Sequence, residues 1–256
     1  MIKGSYNKLK GILGLSLSLA KAQFKLRNEG SYLGIFWYLL DPLFMFLILL
    51  FLRNVLTNKS VEYYPAYLFL GLIMFNLFRH GTISSTKVIS SNSGFIKTMN
   101  VNKESFVISG LLQAIFSHLF EIIILISLMI YLNISLFGLL FYPFIFGLLV
   151  IFILGFSFIL STLGVYINDL ANVWSVFVNL LWFSTPIYYV ATKGNIHFLN
   201  KINPLFYFID SARDSLIYGT FSSFDNWIIM ITISLVFLLI GLIIFYKNKN
   251  KFAELA

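Results

Sequence analysis

The 256-residue chain contains no cysteine, five prolines, three histidines and only 11% charged residues. Each shortage excludes something. Without cysteine there are no disulfides, thiolate metal sites or cysteine nucleophiles, and cysteine usage gives no clue to the redox compartment. The histidines, His80, His118 and His197, are too scattered for metal-ligand spacing. Charge this scarce, against roughly 25% in a soluble domain, cannot cover a surface that faces water on all sides. No GxxxxGK[ST] loop is present to cradle phosphates, so any driving energy would have to come from a partner or a gradient. Repeats, proline-rich linkers and low-complexity runs are also lacking, and one domain over 1–256 is expected.

What is present is hydrophobic sequence, 59% of the chain. A helix needs about 20 apolar residues to cross a bilayer. Six apolar stretches stand out, at 33–52, 64–78, 106–131, 139–166, 173–190 and 227–246. They predict an all-α integral membrane protein with six transmembrane helices, the second short and the fourth long enough to tilt. An even count puts both termini on one side. Of the 18 basic residues, 13 fall on that side and five, Arg53, Lys59, Lys193, Lys201 and Arg213, on the other. The bias predicts a multi-pass protein of the cytoplasmic (inner) membrane with both termini cytoplasmic. It also accounts for the net charge of +8, which lies beside hydrophobic spans rather than in a nucleic-acid patch; membrane lipid is the expected surrounding and nucleic acid is not a partner.

Two segments read as helices that do not span. Residues 1–29 have a basic start, an apolar middle and Ala20-Lys21-Ala22, which imitates a signal-peptide cleavage site. Lys21, Lys25 and Arg27 would resist translocation, and Lys3, Lys10, Lys21 and Lys25 share one helical face opposite Leu9, Ile12, Leu15, Leu19 and Leu26. The better reading is a basic amphipathic helix lying in the cytoplasmic interface. Within 191–225, residues 204–218 carry a cap at Asn203, Pro204 at the first helical position and a stop at Gly219. This helix is too short to span, and Asp210, Arg213 and Asp214 are expected to pair on its polar side. It is either an ordinary interfacial helix or a lid over the outer mouth of a path.

A few polar and aromatic residues in this apolar chain invite a role. Segment 81–104 is polar and cytoplasmic, yet holds Phe95, Ile96, Met99 and Val101, apolar residues that a solvated loop does not need. Asp41 falls near the middle of the first span, where charge is costly, either at a helix contact or on a pathway. His118 and Glu121, at i and i+3, share a face as a pair too small for a catalytic metal site. Asp169 caps the next helix or serves coupling. Trp182, Phe183, Tyr188 and Tyr189 crowd the outer end of the fifth span, where aromatic faces can pack on sugar rings.

These residues resemble the ABC-2 type permeases that export lipid-linked polysaccharides such as O-antigen, capsule and teichoic acid. Arg27, Leu33-Gly34, Trp37 and Pro42 are similar to the family's first signature, Tyr67, Gly71 and Phe78 to its second span, and Phe95-Ile96-Lys97 to its ATPase-facing loop. The most specific run is Leu163-Gly164-Val165-Tyr166-Ile167-Asn168-Asp169, then Thr185-Pro186-Ile187-Tyr188-Tyr189, then Asn203-Pro204-Leu205 and Arg213. Two positions depart from the pattern: Asn168 stands where the family has arginine, and Met99-Asn100-Val101-Asn102 lacks the family's proline.

The resemblance implies a homodimer bound to two copies of an ATP-binding cassette ATPase, with ATP and Mg at that partner and no cofactor or catalytic residue in this chain. It implies ATPase coupling through Phe95, Ile96, Lys97, Met99 and Asp169, with the amino-terminal helix sharing the docking surface. It further implies an external gate at Asn203, Pro204, Asp210 and Arg213, and a path for a lipid-linked glycan past Trp182, Tyr188 and Tyr189. An ABC-2 exporter of drugs or lipids is the nearest alternative. A membrane-embedded transferase or hydrolase would need acids or a nucleophile and base gathered at one depth, and a proton-coupled carrier would need broken helices in matching halves.

Overall fold

The computed structural model describes residues 2–28, 32, 34–56, 61–99, 101–190 and 200–255. Leu33 and Asn100 of the family signature and residues 191–199 of the expected gate region lie outside these. Every regular element among the described residues is helical: α1 (Ile2–Asn28), α2 (Trp37–Leu56), α3 (Tyr64–Ser85), α4 (Ser93–Thr98), α5 (Glu104–Tyr131), α6 (Tyr142–Tyr166), α7 (Leu170–Ser184), α8 (Pro204–Leu216), α9 (Phe224–Asn248) and α10 (Phe252–Leu255), with short 3-10 turns between some of them.

Local chemistry sets several boundaries. Helix α3 follows Tyr63, whose φ of 52° breaks the preceding chain, and opens with a proline in its first turn. Helix α7 stops at Ser184 because Pro186 disfavours helical backbone at Thr185, which is extended. Helix α8 starts where the Asn203 side chain accepts from the Leu205 amide at 3.0 Å.

Helices α3, α5, α6 and α9 are each long and apolar enough to cross a membrane. Helix α2 has 20 residues and α7 only 15, so the fifth expected span is a helix that breaks at Ser184 and continues as irregular, bent chain rather than one continuous crossing. Helix α3 is the axis of the fold: 83% of its most apolar window is buried, against 28% for α5 and 22% for α9, which turn apolar faces outward. Helices α6 and α9 form a close pair. A Cβ at Gly155 would strike the backbone of Phe237 and Leu238, and one at Gly241 would strike the backbone of Gly155, so only glycine permits this approach.

Two expected non-spanning helices take their places in the bundle, and one of them needs correction. Helix α1 lies along α5, burying Ile12, Ser16 and Ala20, with Ser105 Oγ donating to the Ile12 carbonyl at 3.2 Å and Phe24 packed on Phe116 and Phe120. Leu9 and Leu26, on its expected apolar face, are not covered by the bundle. Helix α8 is not a surface amphipathic helix: Leu205, Phe206, Phe208, Ile209, Ser211, Ala212, Arg213, Ser215 and Leu216 are all buried. Its small residues let neighbours close in, and a Cβ at Gly138 would run into the Ser215 and Leu216 backbone.

Candidate functional site: a polar groove, a buried arginine and an exposed short helix

The site has three parts strung along α3. The first is an open groove of about 390 Å³ between α2, α3 and α7, lined by Asp41, Met45, Asn76, Arg79, Asn179, Trp182 and Phe183. Asn76 stands about 18 Å along α3 from its start. Polar side chains at such depth are expensive unless they face a partner or a water-filled space, and here they converge with two aromatics. Phe75 fixes Trp182 by an edge-on contact, ring centroids 5.0 Å apart. Behind the groove, Asn76 Nδ2 donates to Glu121 Oε1 at 3.4 Å, and Glu121 Oε2 lies 3.0 Å from His118 Nδ1. His118 Nε2 sits 2.6 Å from the Tyr142 hydroxyl. His118 and Glu121 are therefore a buried pair that ties α5 to α3 and α6, while Asp41 is exposed to the groove.

The second part is a knot around Arg213, which is 2% exposed. Its Nη1 donates to the Pro186 carbonyl at 2.7 Å and its Nη2 to those of Ile187 at 3.0 Å and Tyr67 at 3.2 Å. The guanidinium carbon lies 3.4 Å from the Tyr67 ring centroid, a cation–π contact. Gly71 makes room, since a Cβ there would come within 2.6 Å of Nη2. The expected pairing of Arg213 on a polar helix face is thus corrected. Its charge is satisfied by backbone carbonyls and a ring in the core, with Asp210 contributing at longer range.

The segment after α7 is laced to the same knot. The Tyr64 and Tyr67 hydroxyls donate to the Tyr188 and Tyr189 carbonyls at 2.9 and 3.1 Å, and the Tyr189 hydroxyl to Asn200 Oδ1 at 3.0 Å. Asn203 Nδ2 donates to Thr185 Oγ1 at 2.7 Å. Tyr188 and Tyr189 belong to this knot rather than to the groove. Pro204 follows as the first residue of α8.

The third part, at the opposite end of the bundle, is α4. Phe95 and Met99 are 55% and 57% exposed and Lys97 is exposed, but Ile96 is buried in an apolar cluster with Val88, Ile89 and Phe252. Ile96 is therefore not an outward anchor: one residue of rotation turns it to the inner face of the helix. Asp169 is exposed at the start of α7 and makes no capping bond from its side chain.

Residues 15–217 match the family model described as ABC-2 type transporter. The chain belongs to the ABC-2 type transporter family. Among relatives of this permease, an O-antigen export system permease protein RfbA of Klebsiella pneumoniae is 28% identical over 258 residues, spanning 99% of both chains. A second from the same organism is 27% identical with the same coverage. An O-antigen export system permease protein RfbA of Myxococcus xanthus is 22% identical over 94% of this chain and 95% of its own. Asn76, Arg79 and Asn179 of the groove were not singled out in the sequence of this ABC-2 permease. Isolated polar residues within or beside apolar runs are the signal by which they can be found.

Proposed function

We propose that this chain is the membrane-spanning subunit of an ATP-driven exporter of lipid-linked polysaccharide of the O-antigen type, working as a homodimer with two ATPase subunits. The observation that carries the reading is the end-to-end similarity to O-antigen export permeases, in a chain whose polar groove also bears aromatics. Asp41, Asn76, Arg79 and Asn179 offer hydrogen-bond donors and acceptors to sugar hydroxyls, and Trp182 and Phe183 offer flat apolar faces to sugar rings. The groove is open on one side, and a second copy placed there closes it into a path. Six crossings are made by α2, α3, α5, α6, α7 with the chain after it, and α9. The end bearing α4 faces the cytoplasm in the inner membrane, and the Arg213 end faces outward as a gate that includes Asn203, Pro204 and Asp210.

The ATPase, which holds ATP and Mg, docks on α4. Exposed Phe95 and Met99 are its anchors and Lys97 a charge at the rim, where effects on encounter rate dominate. Asp169 lies on the same side. The test is ATP hydrolysis by the permease–ATPase complex in liposomes. Lipid-linked polysaccharide should stimulate it and drugs or simple lipids should not; the reverse pattern favours a drug or lipid exporter. Phe95→Ala should weaken ATPase binding about tenfold or more, as loss of a buried aromatic anchor does, and Lys97→Ala less. Full binding and stimulation with Phe95→Ala overturns the docking assignment.

A further inference from the structure

Helix α4 has six residues, under two turns, and a helix that short does not persist by itself in water. What steadies it is the last stretch of the chain. Ile96, its one buried residue, sits in a cluster with Val88, Ile89, Phe106, Phe245 and Phe252. Phe252 is fully buried, and its ring meets that of Phe245 at 5.2 Å. Polar contacts pin the same stretch: Lys249 Nζ lies 3.2 Å from Glu104 Oε1, and Lys103 Nζ donates to the Lys249 carbonyl at 2.5 Å. The Tyr166 hydroxyl donates to Asn248 Oδ1 at 3.0 Å. Residues 249–255 therefore lie between α4 and the ends of α5, α6 and α9.

We propose that Phe252 is a positioning residue for the ATPase-docking face, and that residues 249–255 and α4 move as one rigid unit, delivering the ATPase's movement into α9. The proposal rests on the docking reading above. The arrangement explains why the face alternates: Ile96 grips the tail while Phe95 and Met99 point away from it. It also gives the push a rigid recipient, because α9 is locked to α6 at Gly155 and Gly241. A contact on a floppy loop would absorb the same push.

The test uses the full permease with its ATPase. Phe252→Ala should lower the melting temperature yet leave a folded permease of the same size whose ATPase binding is weakened about tenfold, as with Phe95→Ala, and Phe252→Leu should restore most of it. If Phe252→Ala lowers only the melting temperature, with binding by the folded fraction unaltered, Phe252 is ordinary packing and the proposal falls. Because the chain has no cysteine, Ile96→Cys with Phe252→Cys supplies its only two thiols. Their oxidative cross-link should form and leave substrate-stimulated hydrolysis at the level of the same double variant kept reduced. Failure to cross-link, or hydrolysis that stalls once linked, overturns the single-unit movement. If Phe95→Ala has no effect, the docking reading fails and takes this one with it; an effect from Phe95→Ala alone removes only the role of Phe252.

Discussion

The two ends of the helix bundle are held together by different physics. At the Arg213 end, one buried guanidinium and the side chains of Tyr64, Tyr67, Tyr189 and Asn203 satisfy specific carbonyls and hydroxyls across α3, α8 and the chain after α7. Hydrogen bonds in a dry interior demand both distance and angle, and a partner left unsatisfied there is costly. At the α4 end the cement is an apolar cluster, beside which a partly exposed Lys249 pairs with a buried Glu104. Apolar contacts tolerate sliding and rotation. An end that opens and closes as a block suits the first design, and an end that must follow a moving partner suits the second.

The sharpest way to break this contrast is at Arg213. Arg213→Met keeps much of the apolar volume but leaves the Pro186 and Ile187 carbonyls without their donor, at about 1–3 kcal/mol for each that stays dry, and strips the Tyr67 carbonyl of its second. We expect a steep fall in folded yield and in melting temperature in detergent. Arg213→Lys should recover part of it, since an ammonium has donors but no fork to reach three carbonyls. Equal stability of the native chain and Arg213→Met would mean the knot does not hold this end. A smaller effect is expected between the two ends, at Gly241. Gly241→Ala forces α6 and α9 apart, an overpacking cost of about 1–3 kcal/mol offset in part by alanine's better helix propensity. Its melting temperature should drop by less than that of Arg213→Met, with both ends still formed.

Legibility in the sequence also differs between the ends. Asn203, Pro204 and Gly219 announced α8 because capping is local chemistry, and Gly219 does adopt a positive φ of 63°. The family motifs around Tyr67, Thr185 and Arg213 stood in the sequence as separate pieces. Their meeting spans 146 residues between Tyr67 and Arg213, and no periodicity reports it. Charge pairing along one helix suggested Asp210 and Asp214 as partners of Arg213, but a core without water favours the nearer carbonyls. At the other end, the apolar residues of 81–104 were visible as unusual. Which of them faces inward depends on Phe252, more than 150 residues away, so Ile96 could not be told from Phe95. The groove was half legible: Asp41 and Trp182 stood out, whereas Asn76 gains meaning only from Glu121 behind it.

The smallest effect sharpens the comparison through pH. Burial, followed by repulsion from Asp210, pushes the Asp214 carboxyl up to about 6, with Ser222 and Arg213 pulling it back. An unfolded aspartate titrates near 3.9, so the folded state holds this proton more tightly. The contribution to stability is therefore full below about pH 4, shrinks as pH rises through 6, and is level above that. Because Asp214 is only half-buried, solvent screening keeps the size modest. Asp214→Asn removes the titration, so its melting temperature relative to the native chain should rise between pH 4 and pH 7 and then stay constant. A flat difference across that range would show that Asp214 is no more buried in solution than an ordinary surface carboxylate. A rise of the expected sign would place the second acid of α8 in the same dry setting that holds Arg213.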